Sequence, residues 1–238
     1  MPGGVMGHAS LVGYAICHRI PERSFIIGGI QLPLCARCSG TYLGALTGFV
    51  AMYLLGRRRA ANLPPIPVLI VLALFVAAMG VDGVNSYLTL LPGLPHLYEP
   101  RNWLRLTTGT LEGIALASVL LPVFNQTMWA DMTGEPSLRG LRELGLIVLA
   151  GAGVILLVLT EWPALLYPLA ILSSGTVVLM LTLINGVLAT IAARRENRAL
   201  SWRDTAPMML IGLTLTLVEL STIDFGRAYL THLLGLPF

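Results

Sequence analysis

The sequence contains no lysine, and only 11% of its 238 residues are charged. Soluble domains carry about 25% charged residues, so this chain is not a water-soluble globule. Aromatic residues are also sparse at 7%, yet 55% of the residues are hydrophobic and the mean hydropathy is +0.79. That balance excludes a disordered chain, which has too little apolar surface to bury. All fifteen basic residues are arginine, and the net charge is only +3. A general bias toward arginine explains the missing lysine without any functional cause. The arginines are scattered and form no stripe, so nucleic acid is not an expected partner. Cysteine is limited to three residues, an odd number that argues against a purely disulfide-built framework.

Long apolar runs are what the chain has in quantity. A hydrocarbon core of about 30 Å is crossed by roughly 20 apolar residues in a helix. Six runs qualify, near Pro33–Gly56, Pro64–Leu91, Asn102–Phe124, Leu144–Thr160, Ala164–Ala192 and Thr205–Leu234. The expected fold is therefore all-α: a polytopic integral membrane bundle of about six transmembrane helices over residues 33–238, in one domain. Residues 1–32 form a short N-terminal element that precedes it. Within that element Val5–Cys17 is apolar but too short to span, and it lacks the basic flank of a cleavable signal. It reads as an interfacial or re-entrant piece packed on the bundle. No internal repeat is visible, so an inverted-repeat transporter gains no support.

Orientation follows from where the arginines fall. With the N-terminus outside, the cytoplasmic loops hold nine: Arg57, Arg58, Arg59, Arg139, Arg142, Arg194, Arg195, Arg198 and Arg203. The exoplasmic side holds six: Arg19, Arg23, Arg37, Arg101, Arg105 and Arg227. The expected location is the cytoplasmic membrane of a bacterium or archaeon, with both termini exoplasmic.

Every cysteine falls in one stretch, as Cys17-His18 followed by Cys35-Ala36-Arg37-Cys38. Three thiols and one imidazole make a complete tetrahedral zinc set, so Cys17, His18, Cys35 and Cys38 are candidate ligands. Thiolates are soft, charged donors suited to zinc, and the C-x-x-C half lets two of them approach one ion from a single turn. Adjacent Cys and His side chains diverge, so both reach one ion only where the backbone bends. Three other readings stay open here: a Cys35–Cys38 disulfide, a catalytic dithiol at a helix entrance, and buried inert thiols.

The run from Cys17 to Gly44 resembles the signature of an uncharacterised prokaryotic membrane-protein family, domain of unknown function 2085. The resemblance rests on Cys17-His18-Arg19, Arg23-Ser24-Phe25 and Pro33 through Gly40. A second part, Asp82-Gly83 with Arg101, Arg105 and Gly109, extends it to roughly residues 14–115. It implies a membrane protein and supplies no activity.

A charged side chain at the centre of a span costs about 2.5–3.5 kcal/mol on insertion scales, so each one calls for a reason. Asp82 and Asn85 lie one turn apart; Asn102, Arg105, Gly109 and Glu112 share one face of the third helix. Glu219, Asp224 and Arg227 approach the same outer half. One reading is a structural ion-pair network, such as Arg105 with Asp82 and Arg227 with Glu219. The other is an outward cavity in which Arg23, Arg37, Arg101, Asn102 and Arg105 hold an anion. Asp82 and Glu112 would then act as general acid or base. The leading expectation is a zinc-binding membrane enzyme, a hydrolase or transferase, acting on an anionic, lipid-linked substrate at the exoplasmic interface. The alternatives are a thiol or quinone-linked oxidoreductase using Cys35 and Cys38, and a transporter or channel with a structural zinc. Membrane lipid, an anionic small molecule and further copies of the chain are the partners these readings allow.

Overall fold

The computed structural model describes residues 4–91 and 95–234; the outermost residues of the N-terminal element and of the C-terminus lie outside them. Among the described residues the chain forms seven α-helices and two minimal two-stranded sheets. The helices are α1 (Val5–Ile16), α2 (Ala36–Leu54), α3 (Ile66–Leu88), α4 (Asn102–Met128), α5 (Leu141–Leu159), α6 (Leu166–Ala192) and α7 (Trp202–Leu234). Prolines mark several starts: Pro65 caps α3, and a turn over Pro163–Leu165 leads into α6, as expected where a ring fixes φ and no N–H is needed. The Asp204 carboxylate accepts from Ser201 N–H at 2.8 Å and from the Ser201 hydroxyl at 2.9 Å at the start of α7, closing the first turn as a capping pair does.

Five helices, α3 through α7, are long and apolar enough to cross a membrane. The first of the expected spans, α2, has the length but a lower hydropathy than these five, for a clear cause. Its inner face carries Arg37, Ser39, Gly40, Thr41, Gly44 and Gly48, because it faces protein on most sides. The α2–α4 contact is the most extensive in the molecule. A Cβ built at Gly44 would sit 2.2 Å from Thr110 O, and one at Gly113 would sit 1.9 Å from Thr41 O. Gly40 and Gly109 are equally tight, against Leu106 O and Arg37 O at 2.3 Å each. This is the small-xxx-small packing by which membrane helices bring their backbones together, here as Gly40/Gly44/Gly48 on Gly109/Gly113/Ala117. Gly151 of α5 meets the same helix through Ile114 and Thr110, whereas Gly153 faces open space.

The N-terminal element folds over one end of this pair. Helix α1 packs on α6 and α7, and its Gly13 lies against Pro33, where a Cβ would be 2.0 Å from the carbonyl oxygen. Strands β1 (Ile26–Ile27) and β2 (Ile30–Gln31) form a hairpin turning at Gly28 and Gly29, both at positive φ, the geometry a tight two-residue hairpin demands. At the opposite end, β3 (Ala60–Asn62) pairs in parallel with β4 (Thr133–Pro136).

Since the α2–α4 contact leaves no room for a methyl group, Gly44→Ala and Gly113→Ala should each cost at least about 2 kcal/mol. Gly153→Ala should be neutral or slightly stabilising. Reversible unfolding in detergent measures both; a Gly113→Ala protein as stable as the wild type would contradict the packing.

Candidate metal and anion centre

Two elements deliver the three cysteines. Cys17 caps the C-terminus of α1, Cys35 is the N-cap of α2, and Cys38 sits in the first turn of α2. Their sulfur atoms all lie within 4.8 Å of one another, with Cys17 and Cys35 buried and Cys38 partly so. All three are free thiols. The bend that a Cys-His pair needs is supplied by Arg19, which adopts φ 52°, an uncommon left-handed conformation for a residue with a side chain. The hairpin fixes it: Gln31 Nε2 donates to Arg19 O at 2.9 Å and to Ser24 Oγ at 3.0 Å.

Electrostatically the thiols are unequal. Cys17 accepts from the Cys35 and Cys38 thiols and from Cys35 N–H at 3.3 Å, and these bonds hold it far below an ordinary thiol. Cys35 is pushed up, chiefly by its bond to Cys17. His18 stands outside the 4.8 Å group: its ring is exposed, and its Nδ1 accepts from Ile20 N–H at 3.1 Å. Partial burial holds it below the usual imidazole value; the Cys17 charge opposes this, while Arg23, Arg37 and Arg105 reinforce it. A neutral imidazole is the form that can ligate a metal.

Beside the thiols lies a polar cluster whose hub is Ser86, a residue that sequence reasoning passed over. Its backbone oxygen accepts from Arg23 Nη2 at 2.8 Å, and its hydroxyl accepts from Arg37 Nη2 at 3.0 Å and Arg105 Nε at 3.4 Å. Arg37 also donates to both the carboxylate and the backbone oxygen of Asp82, and Tyr98 OH donates to the other carboxylate oxygen at 2.9 Å. That bond and burial push the Tyr98 phenol up, burial first. Asp82 and Ser86 are each only 1% exposed and Arg105 only 6%. Three guanidiniums thus converge on Ser86, and one of them, Arg37, also takes the Asp82 carboxylate.

The expected pairings change accordingly. Asp82 is bridged by Arg37 and not by Arg105, which spans Ser86 and Asn102 Oδ1 (2.8 Å) instead. Arg227 is held by backbone oxygens of the N-terminal element. It donates to the carbonyl oxygens of Tyr14 at 2.6 Å and Cys17 at 2.7 Å, and so ties α7 to the cysteine bend, while Glu219 accepts from Asn185. Asn102 donates to the backbone oxygens of Glu22 and Ser24 and holds the N-terminal element on α4. Glu112 accepts from Thr41 Oγ1 at 2.9 Å across the α2–α4 contact, two helical turns from Arg105. Arg101 is exposed at the N-cap of α4, apart from the cluster.

The sequence carried a signal for the missed hub. Asp82, Asn85, Ser86 and Thr89 follow a three- and four-residue spacing on an otherwise apolar helix, which is one polar face. Tyr98 comes from a loop and carries no comparable periodicity. Asn85 pins that loop: its Oδ1 accepts from Leu97 N–H at 2.6 Å, and its Nδ2 donates to Tyr98 O at 2.8 Å.

The family model described as predicted membrane protein (DUF2085) matches residues 17–119. An uncharacterized protein of Methanothermobacter thermautotrophicus is 39% identical over 102 residues, which are 43% of this chain and 81% of the relative. An uncharacterized protein of Methanocaldococcus jannaschii is 33% identical over 114 residues, 48% of this chain and 67% of the relative. The chain belongs to the DUF2085 family. No solved structure matches it. The DUF2085 region runs from Cys17 into α4, as far as residue 119, and so contains the thiols, the Ser86 hub and Glu112; α5 to α7 lie outside it.

A double-mutant cycle tests this wiring. Arg37→Met and Asp82→Leu should each cost about 3–5 kcal/mol, because each strands a buried charge, and the double variant should recover much of that loss. Arg105→Met and Glu112→Gln should instead be additive within about 0.5 kcal/mol, as expected of separated sites. Strong coupling between Arg105 and Glu112 would refute the assignment.

Proposed function

We propose that the chain is a zinc-binding membrane protein that handles an anionic group at the end of its helix bundle, an enzyme of the hydrolase or transferase type. The observation that carries this reading is the buried excess of positive charge beside three clustered thiols. Cys17, Cys35 and Cys38 would hold the ion. The donor set fits zinc, which takes thiolates in tetrahedral sites. Three thiolates with a divalent ion carry −1; Arg23, Arg37, Arg105 and Asp82 carry +2. The assembly keeps a positive charge in a buried place, and an anion is its natural complement. The same arginines make it cheaper to ionise the thiols, which metal binding requires.

The residues then divide by role. Arg23 and Arg105 face the anion. Asp82 and Tyr98 position Arg37, since both carboxylate oxygens of Asp82 already accept hydrogen bonds. Glu112, whose one hydrogen-bond partner among the described residues is Thr41, is the carboxyl group left for proton transfer. The bound ion would supply Lewis acidity near the anion. His18 or a solvent-derived ligand would complete the coordination. By the arginine rule this end is exoplasmic, within reach of lipid-linked anions. A second reading, thiol–disulfide exchange, is favoured by one feature, the free C-x-x-C pair at the N-terminus of α2.

Elemental analysis with thiol counting separates the two. The purified full chain should hold one zinc, and Cys35→Ser/Cys38→Ser should lose it along with thermal stability. Pyrophosphate should raise the melting temperature of the wild type and not that of Arg23→Gln. Full metal content in the double serine variant would sink the metal reading; equal stabilisation of Arg23→Gln would sink the anion site.

A further inference from the structure

The end of the bundle opposite the cysteines carries a second site, independent of the first. A cavity of about 400 Å³ lies where α2 and α4 end and α7 begins, within the size range of small-ligand sites. Phe49, Leu121 and Phe124 supply apolar walls, and Arg57, Arg58 and Arg59 supply cationic ones. Trp202 also lines it and packs edge-to-face on the buried Trp129, with ring centroids 4.8 Å apart. Aromatic residues of this kind gather at the boundary between hydrocarbon and headgroups.

The arginines are held in place before any ligand arrives. Arg57 is only 3% exposed; its two terminal nitrogens contact Glu135 and Glu143, and its Nε–H has no acceptor among the described residues. A buried donor without an acceptor is costly, and Arg57 stays cationic beside the cavity that it lines. Arg59 lies 3.4 Å over the Trp129 ring and 3.2 Å from Asp131. Arg58 rests 3.9 Å over the Tyr53 ring and has no carboxylate partner among the described residues. Counting Arg139, four guanidiniums face three carboxylates.

We infer that this cavity binds an anionic phospholipid, with its phosphate at Arg58 and an acyl chain along Phe49, Leu121 and Phe124. A soluble anion would match the arginines but gain nothing from the apolar walls, whereas a lipid uses both. The arginine rule places this end in the cytoplasm, facing the anionic leaflet.

Native mass spectrometry of the purified full chain, incubated with phosphatidylglycerol, phosphatidylcholine or inorganic phosphate, tests the inference. The wild type should retain one phosphatidylglycerol, preferred over phosphatidylcholine by about fivefold or more, as one basic group at an anionic surface would give. Arg58→Glu and Arg58→Gln should lose that preference and Arg58→Lys should keep most of it, since the exposed side chain of Arg58 is not needed for folding. Excess inorganic phosphate should leave the lipid bound. Equal retention of the two lipids, displacement by inorganic phosphate, or an unchanged preference in Arg58→Glu and Arg58→Gln would each overturn the proposal.

Discussion

Helices α2 and α4 touch backbone to backbone, and the rest of the molecule is arranged around that contact. Gly40, Gly44 and Gly48 on one side meet Gly109, Gly113 and Ala117 on the other, with no space for a Cβ at the tightest points. A contact this close fixes both rotation and register, because a shift along either helix would drive a side chain into a carbonyl group. Arg37 on α2 and Arg105 on α4 are thereby brought to the same Ser86 hydroxyl, and Thr41 is set against Glu112. In lipid, where burial of apolar surface does not drive helices together, this packing is the main force available. It also explains why α2 lacks the membrane-length apolar stretch found in α3 through α7: a helix surrounded by protein has no need to match hydrocarbon.

Both ends of the bundle bury arginine, in different ways. At the far end Arg57 is matched by Glu135 and Glu143, and the segments that carry them are stitched together by the β3–β4 pair. At the cysteine end, Arg23, Arg37 and Arg105 share Ser86, and only Arg37 has a carboxylate, that of Asp82. Buried ions that serve packing alone tend to be balanced within the protein, since an unmatched charge costs several kcal/mol. In the proposed reading, a ligand of opposite charge answers the imbalance at the cysteine end.

How much of this was legible in the sequence depended on the kind of signal. Helix positions were, because apolar runs of membrane length are hard to mistake; α3 through α7 lie within a few residues of the expected spans. The cysteine grouping was legible too, since all three thiols lie within 22 residues. The glycine spacing Gly40-x₃-Gly44-x₃-Gly48 was present but gave no partner until α4 was seen opposite it. Ion pairing was the least legible. Arg37 and Arg105 both reach the Asp82 region, and only the rotation of α2 decides that Arg37 takes the carboxylate. The hairpin was marked by Gly28-Gly29, but its two-residue strands are too short for alternation to show.

Zinc-edge X-ray absorption on the purified full chain tests the central claim most directly, because it reads the identity and distance of the atoms around the metal. The account predicts three sulfur neighbours at about 2.3 Å and one nitrogen or oxygen at about 2.0–2.2 Å. A shell of nitrogen and oxygen only, or a metal-free protein with its thiols oxidised, would contradict it.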